Sequence, residues 1–219
     1  MTNFYVVKMV LRHRFYIIGL FFFFTSAVMA QFSANAGITS DYVWRGVSQT
    51  DENPTLQGGL DYGWEDLNLY IGAWGSGVDF TEPDANVEID VYLGFANELE
   101  NGFSYDLGYM HYAYDESDFD FDELYFGMGF KIFSAKYSFD FENENGYLEG
   151  AIDFELPKDF GLGLHAARYD LDLGADYTDY KIGLSKAFFG LDFELAFIDT
   201  DLSHKLTDGR VVLSIIKNW

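Results

Sequence analysis

The chain has 219 residues, 49% of them hydrophobic and 20% aromatic, with 36 acidic against 13 basic side chains and no cysteine. That apolar content excludes a disordered acidic chain, and the lack of cysteine excludes a disulfide framework and thiolate chemistry. The net charge of −23 argues against nucleic acid as a partner, because a phosphate backbone would be repelled.

The first thirty residues read as a secretion signal. Lys8, Arg12 and Arg14 form a basic n-region, residues 15–24 a continuous apolar run, and Val28-Met-Ala30 a small-residue cleavage site. The run is shorter than the roughly 20 residues a transmembrane helix needs. Residues 1–30 are expected to be removed near Ala30, leaving residues 31–219 as a single domain. Three of the 13 basic residues and none of the acidic ones precede Gln31, so the remainder carries 10 basic against 36 acidic side chains, a net charge of −26.

From there the chain alternates apolar and polar residues to its end, the period of a strand with two unlike faces. Segments 32–48, 55–64 and 67–75 alternate loosely. Residues 87–95 alternate cleanly, with Val87, Ile89, Val91, Leu93 and Phe95 against Glu88, Asp90, Tyr92 and Gly94. Residues 103–114 follow, then 124–132. In 133–142, Phe133, Ala135, Tyr137, Phe139 and Phe141 oppose Ser134, Lys136, Ser138, Asp140 and Glu142. Residues 148–156, 160–170, 177–186 and 191–197 continue the pattern. The last ten residues end on Val211, Leu213, Ile215, Lys217 and Trp219 along one face.

Alternation alone does not say which face is outside. Segment length and connections do. The segments run about 9–11 residues, the length of a tilted membrane-spanning strand, where soluble strands centre nearer 5–6. The gaps alternate long and short, as in outer-membrane barrels with long external loops and short periplasmic turns. A chain that ends mid-strand on tryptophan suits a closing strand whose aromatic sits at the water–lipid boundary. The expected fold is an all-β transmembrane antiparallel barrel of about 12 strands, with both termini periplasmic.

Residues 39–50, Thr39-Ser-Asp-Tyr-Val-Trp-Arg-Gly-Val-Ser-Gln-Thr50, followed by Pro54 and Gln57-Gly-Gly-Leu-Asp-Tyr62, resemble the N-terminal signature of the TorF-type porin family of proteobacteria. Trp74-Gly-Ser-Gly-Val-Asp-Phe80 and Glu88-Ile-Asp-Val-Tyr-Leu-Gly94 are similar to its next two blocks. The resemblance covers essentially the whole chain after the signal. It implies an outer-membrane barrel of a Gram-negative bacterium, a family of loosely assigned function, and no particular substrate or catalytic residue.

Function is then expected on the interior face. Its acidic members are Glu88, Asp90, Asp106, Glu123, Asp140, Glu149, Asp153, Glu155, Asp192 and Glu194; its basic members are Arg45, Lys131, Lys136 and Lys181. Buried charge is paired or hydrated, so two readings compete. In one, the acid excess lines a water-filled pore for passive diffusion of small solutes or ions and favours cations. In the other, the charges pair with one another and with tyrosine hydroxyls, and a closed structural or adhesive barrel acts through its acidic external loops. Eight strands leave room only for side chains and sixteen leave a channel; twelve lies between. On this reading Tyr92, an interior residue, tolerates arginine far better than its lipid-facing neighbour Leu93.

Catalysis has little support. His111, His165 and His204 show no spacing that places a serine and a histidine on one strand face. The acidic run 115–123 lacks the spaced ligand pattern of a calcium loop, so it reads as an acidic external loop and neither a bound metal nor a cofactor is expected; the alternative is weak, exchangeable divalent-ion contact that bridges the loops to lipopolysaccharide. The expected partners are outer-membrane lipid and lipopolysaccharide, the barrel-assembly machinery, which reads Trp219, and small solutes or cations.

Overall fold

The computed structural model describes residues 31–80, 84–116 and 119–219; the expected signal and its cleavage site lie outside the described residues. Its strands are β1 (Gln31–Thr39), β2 (Val43–Trp44), β3 (Val47–Ser48), β4 (Thr55–Trp64), β5 (Leu69–Gly77), β6 (Val87–Glu98) and β7 (Phe103–Tyr114). They continue as β8 (Phe121–Phe130), β9 (Phe133–Asp140), β10 (Asn145–Leu156), β11 (Phe160–Asp170), β12 (Tyr177–Phe188), β13 (Leu191–Thr200) and β14 (Arg210–Asn218).

Twelve of these, β1 and β4–β14, form one closed barrel in which each strand pairs with its chain neighbours. All pairings are antiparallel, and β14 closes on β1 with Asn35 opposite Asn218 and Thr39 opposite Ser214. Closure leaves no unpaired sheet edge, which lipid would not tolerate. Trp219 extends the seam, its N–H donating to the Ala34 carbonyl at 2.9 Å. Connections at the end holding the termini are short, such as 131–132 and 189–190. Those at the opposite end are longer, such as 40–54, 78–86 and 201–209.

Burial settles which face is out. Along β6, Val87, Ile89, Val91 and Leu93 are exposed while Glu88, Asp90, Tyr92 and Gly94 are buried. Leu93 is 52% exposed and Tyr92 2%. The same inversion holds around the barrel, where Leu60, Ile71, Leu107, Phe126, Ile182, Leu195 and Leu213 stand outward. A continuous apolar belt of this kind belongs in hydrocarbon, not water. Tyr62, Trp64, Phe130, Phe133, Phe188 and Trp219 are exposed near the terminal end, where an aromatic girdle meets the lipid boundary.

Inside, large rings lie over glycines on neighbouring strands. Tyr70 stands opposite Gly94 and Tyr92 opposite Gly72, and Tyr125 opposite Gly108. A β-carbon at any of these glycines would run into the ring. The glycines therefore act as seats that let tyrosines cross the barrel floor.

The segment 32–48 is not one strand, as its alternation suggested. β1 stops at Thr39, and residues 40–54 turn inward as a small β2–β3 hairpin. Its tip, Arg45-Gly46, has positive φ at both residues, 48° and 81°. That is the two-residue hairpin turn whose twist matches the strands it joins. Arginine is unfavourable there, so side-chain contacts hold it.

Candidate functional site: a hairpin inside the lumen

The hairpin is pinned at its base by Asp41. One carboxylate oxygen accepts from Ser48 Oγ at 2.7 Å and Thr50 Oγ1 at 2.9 Å; the other accepts from Arg210 on β14 at 3.0 Å. The Tyr42 hydroxyl donates to Glu88 on β6 at 3.2 Å. At the outer end of the loop Lys205 pairs with Asp51, and that contact raises the Lys205 pKa above its ordinary value.

From this base the tip reaches the far wall. Arg45 pairs with both carboxylate oxygens of Glu123 on β8, at 2.7 and 2.8 Å. Its guanidinium lies 4.2–4.7 Å from the ring centroids of Trp44, Tyr147 and Tyr169. The Tyr177 hydroxyl on β12 donates to the Arg45 carbonyl at 2.9 Å. Trp44 meets Tyr112, Phe121 and Tyr169 edge-on. A charge-assisted pair, with one guanidinium nitrogen donating to both carboxylate oxygens inside a three-ring cage, is a favourable setting for an arginine. It also offsets the cost of the left-handed backbone. Below the tip, a cavity of about 20 Å³ lies among Tyr70, Tyr92, Asp106, Tyr125, Lys136 and neighbours, enough for roughly one water. Toward the end with the long connections, a vestibule of about 450 Å³ opens among Trp44, Gln49, Phe80, Tyr114, Phe121 and Glu142.

The predicted interior residues fall into distinct settings. Arg45 is on the hairpin rather than the barrel wall, because the chain leaves the wall at Ser40. Lys136 on β9 pairs with Glu149 on β10 at 2.8 Å, and Lys181 on β12 with Glu194 on β13 at 3.0 Å. Asp106 accepts from Tyr70 at 2.7 Å. Asp140 is buried but turned to its own loop, accepting from the Glu142 and Asn143 amides and the Asn143 side chain. Asp153 and Glu155 are exposed toward the terminal end, and Asp192 accepts from Asn218 at 2.6 Å. Glu88 and Asp90 are deeply buried beside the hairpin stem. Lys131 is not an interior residue: it sits in the β8–β9 turn at φ 59°, its ammonium over the Phe130 ring. Its strand ends at Phe130, two residues before the end of the alternating segment.

Several lumen residues escaped the sequence reading. His165 on β11 sits between Glu149, at 3.3 Å, and Asp179, at 3.5 Å. Asp179 also accepts from Tyr147 at 2.9 Å. Asp61 accepts from the Tyr92 hydroxyl. The two-residue period of β4, β11 and β12 carried these positions, but glycines and alanines blurred it. His111 faces outward and meets Asp122 at 2.7 Å, and His204 caps its own turn.

The long loops are organised by carboxylates too. Asp115 accepts from the backbone N–H groups of Asn86 and Val87, which hold its pKa below the usual range. Asp176 accepts from the Leu171 N–H and pairs with Arg168, and its pKa is lowered for those reasons.

The fold is that of small outer-membrane porins. The KdgM porin matches with TM-score 0.63 at 9% identity, over 84% of this chain and 98% of that one. The NanC porin matches with TM-score 0.57 at 10% identity, over 85% and 98%. A second structure of the KdgM porin, in complex with disordered oligogalacturonate, matches with TM-score 0.61 at 9% identity, over 85% of this chain and 97% of that one. No curated protein matches the chain. None of these matches carries the TorF-type label that the motifs in 39–94 suggested. The family description that fits is that of a bacterial protein of unknown function, Gcw_chp, which matches residues 25–218, and the chain belongs to that family.

Proposed function

We propose that the chain is an outer-membrane channel for passive diffusion of small solutes or ions, narrowed by the 40–54 hairpin. The observation that carries this reading is an inside-out barrel with a porin's fold and a charged lumen crossed by an inward loop. The acidic residues of the lumen outnumber Arg45, Lys136, Lys181 and Arg210, each of which already holds at least one carboxylate. That excess supports cation preference, and it disfavours acidic sugars of the kind present with the KdgM porin.

In this proposal residues 1–30 are cleaved near Ala30, both termini are periplasmic and the long loops face outward, against lipopolysaccharide. The barrel-assembly machinery reads the terminal strand, and loss of Trp219 slows assembly. Cell fractionation and heat-modifiable gel migration test this placement; recovery in the soluble periplasm refutes it.

A second reading is favoured by one feature: at the level of the Arg45 cage the lumen is filled by buried side chains. On that reading the barrel is closed, and its external acidic loops are the active surface. Single-channel recording of refolded protein in a planar bilayer separates the two. Conductance with a cation-sided reversal potential supports the channel, and the selectivity should fade as screening shortens from about 10 Å at 0.1 M salt to about 3 Å at 1 M. Anion preference refutes the charge argument. Silence in folded protein refutes the channel and leaves the closed barrel.

A further inference from the structure

Among the described residues, two carboxylates in the lumen wall have no cationic partner. Glu88 and Asp90 follow each other on the inward face of β6 and are each 1% exposed. Glu88 Oε1 accepts from Tyr42 at 3.2 Å, and the Glu88 carboxyl also hydrogen-bonds Tyr114 and the Asp90 carboxyl, but among the described residues Glu88 Oε2 and Asp90 Oδ1 have no donor. Their cross-strand neighbours are Ser76 and Trp74 on β5 and Tyr114 and Tyr112 on β7, which bring hydroxyls and rings but no positive charge. Arg45 is held by Glu123 with both oxygens, and Lys136, Lys181 and Arg210 by Glu149, Glu194 and Asp41. Two buried carboxylates side by side are strongly unfavourable unless something compensates their charge.

We propose that Glu88 and Asp90 form a binding site for a hard divalent cation of the Ca²⁺ type, at the foot of the inward hairpin. The side chains offered there bind through oxygen: two carboxylates with free lone pairs and the hydroxyls of Tyr42, Tyr114 and Ser76. Oxygen donors with two negative charges suit Ca²⁺, which takes six to eight oxygen ligands in flexible geometry and completes its shell with water. Softer metals would want the imidazole or thiolate that this site lacks. Among the described residues no group of three or more His, Cys, Asp or Glu side chains is poised for a metal. The site therefore depends on this one pair, and losing either carboxylate removes half its charge. Because Tyr42 belongs to the hairpin stem and Glu88 to the wall, the bound ion would fasten the hairpin to β6.

The alternative compensation is a proton shared between the two carboxyls, and the test distinguishes it. Refolded full-length protein in detergent micelles is titrated with Tb³⁺, a luminescent stand-in for Ca²⁺. The rings of Trp74, Tyr112 and Tyr114 beside the site make Tb³⁺ emission sensitive to occupancy there. The proposal expects sensitised emission, displaced by Ca²⁺. The double variant Glu88→Gln, Asp90→Asn should weaken binding by about 100-fold or more, since even outer-shell changes cost 10–100-fold. The loop variant Asp115→Asn should leave it unchanged. Heat-modifiable migration reports folding, and Asp90→Asn alone replaces the double variant if that fails to fold. Equal Tb³⁺ binding by the variants and the parent would overturn the site and assign the ions to the acidic surface. No sensitised emission, with a protonated-carboxyl infrared band that disappears in the variants, would overturn it in favour of the shared proton. Conductance plays no part in either outcome, so failure of the channel reading leaves this test intact.

Discussion

Replacing Arg45 with alanine tests the hairpin directly. The guanidinium donates to both oxygens of Glu123 and is stacked among three rings. Both partners are buried, with 7% and 3% of their side chains exposed. Breaking a buried pair by removing one member costs about 3–5 kcal/mol, because the other charge is left uncompensated. A desolvated cation–π contact is worth about 2 kcal/mol, but it shares the same guanidinium, so the two figures do not add. Alanine gains nothing at φ 48°, where any β-carbon is unfavourable. Water entering the vacated cage would solvate Glu123 and pull the cost toward the lower bound. We expect Arg45→Ala to lower unfolding stability in a urea titration by about 3 kcal/mol. Arg45→Lys should recover only part of this, since an ammonium keeps the charge but not the planar group that lies against the three rings. In a double-mutant cycle, Arg45→Ala should cost far less in a Glu123→Gln background. The same variants should conduct more than the parent in a planar bilayer. An Arg45→Ala protein within about 0.5 kcal/mol of the parent, the range of ordinary surface changes, would show that the cage does not hold the hairpin.

Four further expectations concern the barrel wall and the loops. Leu93→Arg places a charge in the outer belt and should cost about 2–4 kcal/mol if position 93 lies near the bilayer midplane; refolding titration in lipid vesicles reports it, and a cost near zero would place β6 elsewhere. Tyr92→Arg should not be mild, contrary to the reading from sequence, because Tyr92 is packed on Gly72 and donates to Asp61. Gly72→Ala drives a β-carbon into that anchored ring and should cost about 1–3 kcal/mol, whereas the same change at Gly63, where nothing lies nearby, should cost less; equal losses would refute the seat. Asp115, whose pKa is lowered by the Asn86 and Val87 amides, stabilises its loop at pH values above the ordinary carboxylate pKa of about 3.9. That contribution is lost only as pH falls through the lower folded value, so a carboxyl NMR titration of Asp115 should show a midpoint below 3.9. A midpoint at or above it would refute the two amide contacts.

The strand count and the sidedness of β6, β9, β13 and β14 were legible in residue order alone. A side chain's face follows its parity, and apolar side chains spaced two apart over ten residues suit lipid on one side. Alternation of short and long gaps carried the up-and-down topology, because an antiparallel meander has no other way to place its turns. Lys131 shows the limit at strand ends, where a one-residue turn shift moves a side chain out of the lumen. The hairpin was illegible for a deeper reason. Within 40–48, residues 43–44 and 47–48 are extended and so alternate like a strand, but they pair with each other and inside the barrel. Only closure brings Asp41 to Arg210, Arg45 to Glu123 and Tyr42 to Glu88, across separations of 169, 78 and 46 residues. Which carboxylates are neutralised is decided the same way. Composition counts the acidic excess, but the pairing that leaves Glu88 and Asp90 without a cation depends on which strands face each other across the lumen, and that exists only once the twelve strands have closed.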